Sequence, residues 1–252
     1  MIRKSISAIR LALQFLTRLP VKSSPTVPTD HELASSVKAF PIAGAVIGFV
    51  LACFIVLTQA LPDYLQAALV LIVWVALTGN LHMDGLADTA DAWAGGRGQK
   101  DRILAIMKDP HTGAAAVSVV VLTLLVKWSA VSALLPGDNL LVFFLVPIVP
   151  RATMLLFFTS MQYLRSEGGL ASGYSDAISH TTLAAILLLT FLVVIALAAW
   201  LGILMFAAAV ASFVIFYFYW RLLLGGYTGD IIGAYVEITE CLMLVVAVAW
   251  LV

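Results

Sequence analysis

The sequence predicts an all-α, polytopic integral membrane protein, a single-domain helical bundle of about seven transmembrane helices behind an N-terminal interfacial amphipathic helix. Three observations predict it. Of the 252 residues, 62% are hydrophobic and 11% charged, with a mean hydropathy of +1.05, whereas roughly a quarter of a soluble domain is charged. The apolar residues fall in runs close to the roughly 20 residues that cross a hydrocarbon core of about 30 Å. Lys and Arg keep to alternate connections, the asymmetry that orients membrane helices.

Taken in order, residues 1–20 place Ile2, Ile6, Ile9, Leu13 and Leu16 on one stripe with Arg3, Arg10 and Arg18 interspersed. That pattern suits a helix lying in the membrane interface, and no cleavable leader is evident. Apolar runs follow at 41–61, 64–80, 112–135, 139–160, 180–200, 201–220 and 231–252, the fifth and sixth divided only by the weak break at Leu201-Gly202. Arg3, Lys4, Arg10, Arg18, Lys22 and Lys38 precede the first run, and Arg97, Lys100, Arg102 and Lys108 separate the second from the third. Arg165 follows the fourth and Arg221 ends the sixth. These segments are expected on the cytoplasmic side, because the connections at 61–64, 136–139 and near 200 carry no Lys or Arg. Lys127, far along the third run, is the exception. Cys53 and Cys241 lie inside apolar runs and read as small core hydrophobes.

The acids are sorted too. Polar, glycine-rich segments at 79–111, 165–180 and 224–240 hold Asp84, Asp88, Asp91, Asp101, Asp109, Glu167, Asp176, Asp230, Glu237 and Glu240. In NLHMDGLADTADAWAGG (80–96) and GGYTGDIIGAYVEITE (225–240), the trios Asp84, Asp88, Asp91 and Asp230, Glu237, Glu240 each return to one helical face. Neighbouring carboxylates repel by about 4 kcal/mol per pair at an effective dielectric near 20, and few basic residues stand near them in the sequence. Hard divalent cations, which prefer oxygen ligands, resolve the repulsion. Gly225, Gly226 and Gly229, with Arg97, Lys108, Arg151 and Arg165, extend this to metal-bridged phosphates. Arg151 sits inside the fourth run and is expected to face a cavity. His82 and His111 suit phosphate contact, a proton shuttle or a purely structural place. The aromatics of FVIFYFYW (213–220) read as lipid-facing or packing residues.

These segments, with ILAIMKDPHTGAAAV (103–117), FLTRLPV (15–21) and FPIAGAVIG (40–48), resemble the adenosylcobinamide-GDP ribazoletransferase, or cobalamin (5′-phosphate) synthase, family. The resemblance implies Mg²⁺-dependent phosphoryl transfer, with Mg²⁺ on Asp84, Asp88 and Asp91 and a second group from Asp230, Glu237 and Glu240. Adenosylcobinamide-GDP is joined to α-ribazole or its 5′-phosphate, GMP is released, and adenosylcobalamin or its phosphate forms at the cytoplasmic face of a bacterial inner membrane. It also implies catalytic work for Asp84, Asp91, Glu237 and Lys108, with Glu237 and Asp91 as the first candidates for proton acceptor. Substrate contacts would come from His82, Arg97, Asp109, Arg151, Arg165 and the three glycines. Membrane lipid is a further partner, no nucleic acid is implied, and self-association is left open.

Three other readings compete. Asn80-x3-Asp84-x3-Asp88 is similar to the first diphosphate element of intramembrane prenyltransferases, but the second element lacks paired aspartates. Asp84-Gly85 followed by Ala87 is similar to the CDP-alcohol phosphotransferase motif, but Asp88 stands where arginine is expected. A cation or proton transporter would use buried carboxylates, yet these acids cluster on one side and no inverted repeat is visible.

Overall fold

The computed structural model describes residues 2–22, 28–137, 139–165 and 178–252. The helices are α1 (Ile2–Leu16), α2 (Asp30–Val37), α3 (Phe40–Leu57), α4 (Asp63–Thr78), α5 (Leu81–Gly96), α6 (Lys100–Ile106), α7 (Ala114–Leu134), α8 (Leu140–Leu145), α9 (Ile148–Thr153), α10 (Leu155–Ser160), α11 (His180–Leu224) and α12 (Gly229–Leu251). Two-residue strands, β1 (Gln162–Tyr163) and β2 (Gly226–Tyr227), pair in parallel. Five segments are long and apolar enough to cross a membrane: α3, α7 with its 3-10 extension, the run α8 to α10, α11 and α12. The bent pair α4–α5 makes a sixth. The chain is a polytopic integral membrane protein.

Three breaks shape the bundle. Gly79 and Asn80 both take left-handed backbone, φ 61° and 65°, and turn α5 through 90° from α4. The aspartate segment is therefore a helix in its own right, packed between α7 and α12. Pro147 and Pro150 lack the N–H that a continuous helix needs, so the single run expected at 139–160 becomes three short helices. In α11 the break expected at Leu201-Gly202 falls at Ala199, with φ 46° and ψ −123°. The rings of Phe191 and Phe206 lie 5.0 Å apart, whereas a straight helix would separate them by about 22 Å. α11 is two arms folded back on each other, and a Cβ on Gly202 would sit 2.5 Å from the Val194 carbonyl oxygen.

One end of the bundle is polar. There the Arg18 N–H donates to the Leu77 carbonyl, Phe15 of α1 stacks on Phe40 of α3 at 5.9 Å, and β1 meets β2. On α1, Ala12 and Leu16 are buried while Arg10 is exposed, as is Arg18 just beyond its end, as an interfacial helix requires. Many apolar side chains face outward, Leu57, Ile72, Leu188 and Ile215 among them. Cys53 is exposed and Cys241 half-buried. The expectation that both belong to the core fails because in a bilayer the outer face is as apolar as the interior. The 213–220 aromatics divide as expected, Phe213 packing edge-on to Phe157 and Phe218 facing outward.

Close backbone approach sets the crossing that matters most. A Cβ on Gly85 of α5 would lie 2.8 Å from the Asp230 carbonyl oxygen and 3.2 Å from the Gly233 Cα of α12. Neither backbone can yield without parting the helices. Gly85→Val should therefore lower stability by about 1–3 kcal/mol and displace Asp84 from Asp230. Thermal unfolding in detergent and turnover should both fall, whereas Gly98→Ala, at a residue with nothing within 4 Å, bears only its own backbone strain.

Candidate active site

The α5–α12 crossing places Asp84 and Asp230 on one cleft of about 190 Å³ at the polar end. α1 and α3 close one side with Phe15, Leu16 and Phe40, and Arg165, His82, Tyr163, Phe158 and Gly229 complete the wall. Asp84 is exposed, and among the described residues its carboxylate has no hydrogen bond or ion pair. Asp88, one turn further along α5, is half-buried and likewise unpaired. Asp230 is held. Its Oδ2 accepts from Arg165 Nη2 at 2.6 Å and Thr228 Oγ1 at 3.2 Å. Thr228 also caps α12, its hydroxyl accepting from the Ile231 N–H. Arg165 donates to the Met107 carbonyl at 2.8 Å as well, tying the segment after α6 to the cleft.

Asp91 does different work. Its Oδ2 accepts from the Gly113 N–H at 2.5 Å and its Oδ1 from the Ala116 N–H at 2.9 Å, so both oxygens cap the start of α7. The sequence makes it a metal ligand or proton acceptor, whereas in this fold both of its oxygens are taken by backbone N–H groups. Asp91→Ala should cost about 1 kcal/mol of stability, the usual loss for a cap, with turnover changed far less than by any change at Asp84. Thermal unfolding and initial rates would check both.

The structure also divides the second trio. Glu237 and Glu240 lie about 10 and 15 Å further along α12 than Asp230. There Lys127 Nζ donates to Glu237 at 2.5 Å and to Glu240 at 2.7 Å. Arg151 pairs with Glu240, donates to the Pro147 carbonyl at 3.0 Å, and approaches His82 Nδ1 at 3.4 Å. All of these side chains are buried. Lys127 and Arg151 cancel the two glutamates, so Glu237 and Glu240 need no metal, and Arg151 is committed inside the bundle instead of facing a phosphate. The expectation that basic residues are too few nearby fails on these long-range pairs. Lys127 was the residue missed, and its signal was its violation of the basic-residue asymmetry: a lysine at membrane depth implies a partner.

The remaining candidates scatter around the polar end. Arg97 ends α5 in left-handed backbone and Lys108 follows α6, both exposed and neither on the cleft. Asp109 binds His111 Nδ1 at 2.5 Å and also accepts its backbone N–H, which hold the carboxyl below its ordinary range; both residues are exposed. Gly225 caps α11 with φ 78°, and a Cβ on Gly226 would meet the Gln162 carbonyl oxygen at 2.3 Å, so these two glycines serve the backbone. Gly229 lines the cleft with open space before it. Glu167 and Asp176 lie outside the described residues.

Among the described residues, no three His, Cys, Asp or Glu side chains are close enough to enclose a metal by themselves. Mg²⁺ does not require that. It is commonly held by one or two carboxylates together with water and substrate phosphate. The unpaired Asp84 and Asp88, with Asp230 beside them, fit that form of binding; Asp91, Glu237 and Glu240 do not.

Residues 8–248 match the cobalamin-5-phosphate synthase family. The chain is 42% identical to an adenosylcobinamide-GDP ribazoletransferase of Pseudomonas aeruginosa over 246 residues, covering 96% of this chain and 98% of the relative. It is 42% identical to that of Pseudomonas syringae over 237 residues, 93% and 96% of the two chains, and 40% identical to one from Pseudomonas fluorescens over 239 residues, with the same coverage. No solved structure matches.

Proposed function

Because the chain belongs to the cobalamin-5-phosphate synthase family and is a transferase of cobalamin synthesis, we propose that it joins adenosylcobinamide-GDP to α-ribazole or its 5′-phosphate and releases GMP, using Mg²⁺. The ribose 3′-hydroxyl attacks the phosphorus nearest cobinamide, a new O–P bond forms, and the bond to the GMP phosphate breaks. The observation that carries this reading is Asp84, unpaired on the cleft beside Asp230 and Arg165, with the unpaired Asp88 one turn along α5 and within electrostatic reach of them. Carboxylates alone would repel a diphosphate. Bound there, Mg²⁺ supplies the positive charge that offsets the developing charge on the phosphate oxygens. Asp84, Asp88 and Asp230 would hold it. Arg165, whose forked guanidinium suits phosphate, pairs with Asp230 and lies within the same cleft. Asp91 and Glu237 are engaged elsewhere, which leaves one of the cleft aspartates to accept the hydroxyl proton. His82, buried at the cleft wall with Arg151 behind it, faces the substrates from below.

The polar end carries the basic connections, which supports an inner-membrane protein with its site on the cytoplasmic side. The direct test incubates the purified protein with adenosylcobinamide-GDP, α-ribazole and Mg²⁺. GMP and a corrinoid product should appear in equal amounts and vanish with a chelator. Release of GMP without α-ribazole, or none under any condition, would contradict the proposal.

A further inference from the structure

The cleft is not evenly polar, and its asymmetry bears on which substrate it takes. Asp84, Asp230 and Arg165 line it together with the rings of Phe15, Phe158 and Tyr163 and the apolar Met154 and Ile232, and Tyr163 lies within electrostatic reach of Arg165 and Asp230. These rings come from three separate parts of the chain: α1, α10 and β1. Phe158 and Tyr163 each stand within about 6 Å of the Tyr227 ring, at 6.0 and 5.4 Å between centroids, and Phe15 is braced on Phe40. The rings are thus fixed before any ligand arrives. At about 190 Å³ the cleft is smaller than the roughly 300–1,000 Å³ of pockets that enclose a whole drug-sized ligand. That volume holds one fused bicyclic base.

We infer that this aromatic wall is the subsite for the benzimidazole base of α-ribazole, with the ribose directed toward Asp84 and Asp230. The inference rests on the proposed reaction, in which two planar bases compete for such a place: dimethylbenzimidazole and the guanine of the GDP-activated partner. Guanine presents donors and acceptors along its edge and loses by burial without partners. The rings themselves offer that edge only the Tyr163 hydroxyl, while Asp230 and Arg165 near Tyr163 are bonded to each other. Dimethylbenzimidazole has a methyl-bearing, donor-free edge, and stacking on aromatic side chains favours any planar base. Its placement there would hold the ribose 3′-hydroxyl near the carboxylates, where the attacking oxygen is needed.

The test measures binding and kinetics on Phe15→Ala and Tyr163→Phe, with Phe15→Leu as the milder change that keeps an apolar wall but removes the ring. Equilibrium dialysis of α-ribazole alone and of GMP alone needs no turnover. Phe15→Ala and Phe15→Leu should weaken α-ribazole about tenfold and leave GMP within twofold, and the KM for α-ribazole should rise without that for adenosylcobinamide-GDP. Tyr163→Phe, which keeps the ring and removes only the hydroxyl, should weaken α-ribazole less than Phe15→Leu does. Weakened GMP with unchanged α-ribazole would assign the wall to guanine and overturn the inference, as would unchanged binding of both. If the unaltered protein binds α-ribazole but gives no product, the proposed reaction fails while the subsite stands.

Discussion

Asp84→Asn and Asp88→Asn should each lower turnover by a factor of about 10²–10³ or more, the scale on which a single group that offsets transition-state charge acts. Both keep the volume and shape of the side chain and remove only its charge. The two carboxylates have no hydrogen bond or ion pair among the described residues, so nothing in the fold depends on them. Stability should stay level or rise slightly, since a like charge is removed beside Asp230. The rate of GMP release at saturating Mg²⁺, with unfolding followed in the same detergent, would show the dissociation of activity from stability. Rates within threefold of the unaltered protein would mean that the pair is a solvated acidic rim.

Lys127→Met should have the opposite signature. It leaves Glu237 and Glu240 buried with only Arg151 to balance them, and breaking a buried pair typically costs about 3–5 kcal/mol. It also removes the ammonium lying 5.0 Å from the Trp74 ring centre. The protein should unfold at markedly lower temperature, and Glu237→Met in addition should recover much of the loss, because one buried charge of each sign is then gone. A protein whose unfolding is unaffected by Lys127→Met would show that the glutamates have another partner.

The contrast between these variants marks how far the sequence could be read. The helical bundle, the gathering of Asp84, Asp88 and Asp230 at the polar end and the break in the long apolar stretch near 200 all follow from local pattern, because hydropathy and charge placement are properties of short segments. The separation of the carboxylates does not. Helical spacing correctly puts Asp230, Glu237 and Glu240 on one face of α12, but a face extends along an axis that rises about 1.5 Å per residue. The same face is polar at Asp230 and deep in the bundle at Glu240. The residues that neutralise the deep pair, Lys127 and Arg151, are 113 and 89 positions from Glu240, and no periodicity connects them. Asp91 illustrates a second limit: its partners are the backbone N–H groups of Gly113 and Ala116, which any residue types could supply. The assignment of Cys53 to the core shows a third, since apolarity in a membrane protein does not distinguish packing from lipid contact.

If Asp84, Asp88 and Asp230, and not Glu237 or Glu240, form the metal-phosphate site, metal binding should depend on the first three and not on the other two. Manganese(II), which shares magnesium's preference for oxygen ligands, gives an electron paramagnetic resonance signal that reports bound metal without turnover. Titrated into the purified protein with GMP present, it should bind the unaltered protein, bind much more weakly to Asp84→Asn and Asp230→Asn, and bind normally to folded Glu240→Gln. Equal binding by Asp84→Asn and the unaltered protein, or loss of binding confined to Glu240→Gln, would contradict the account.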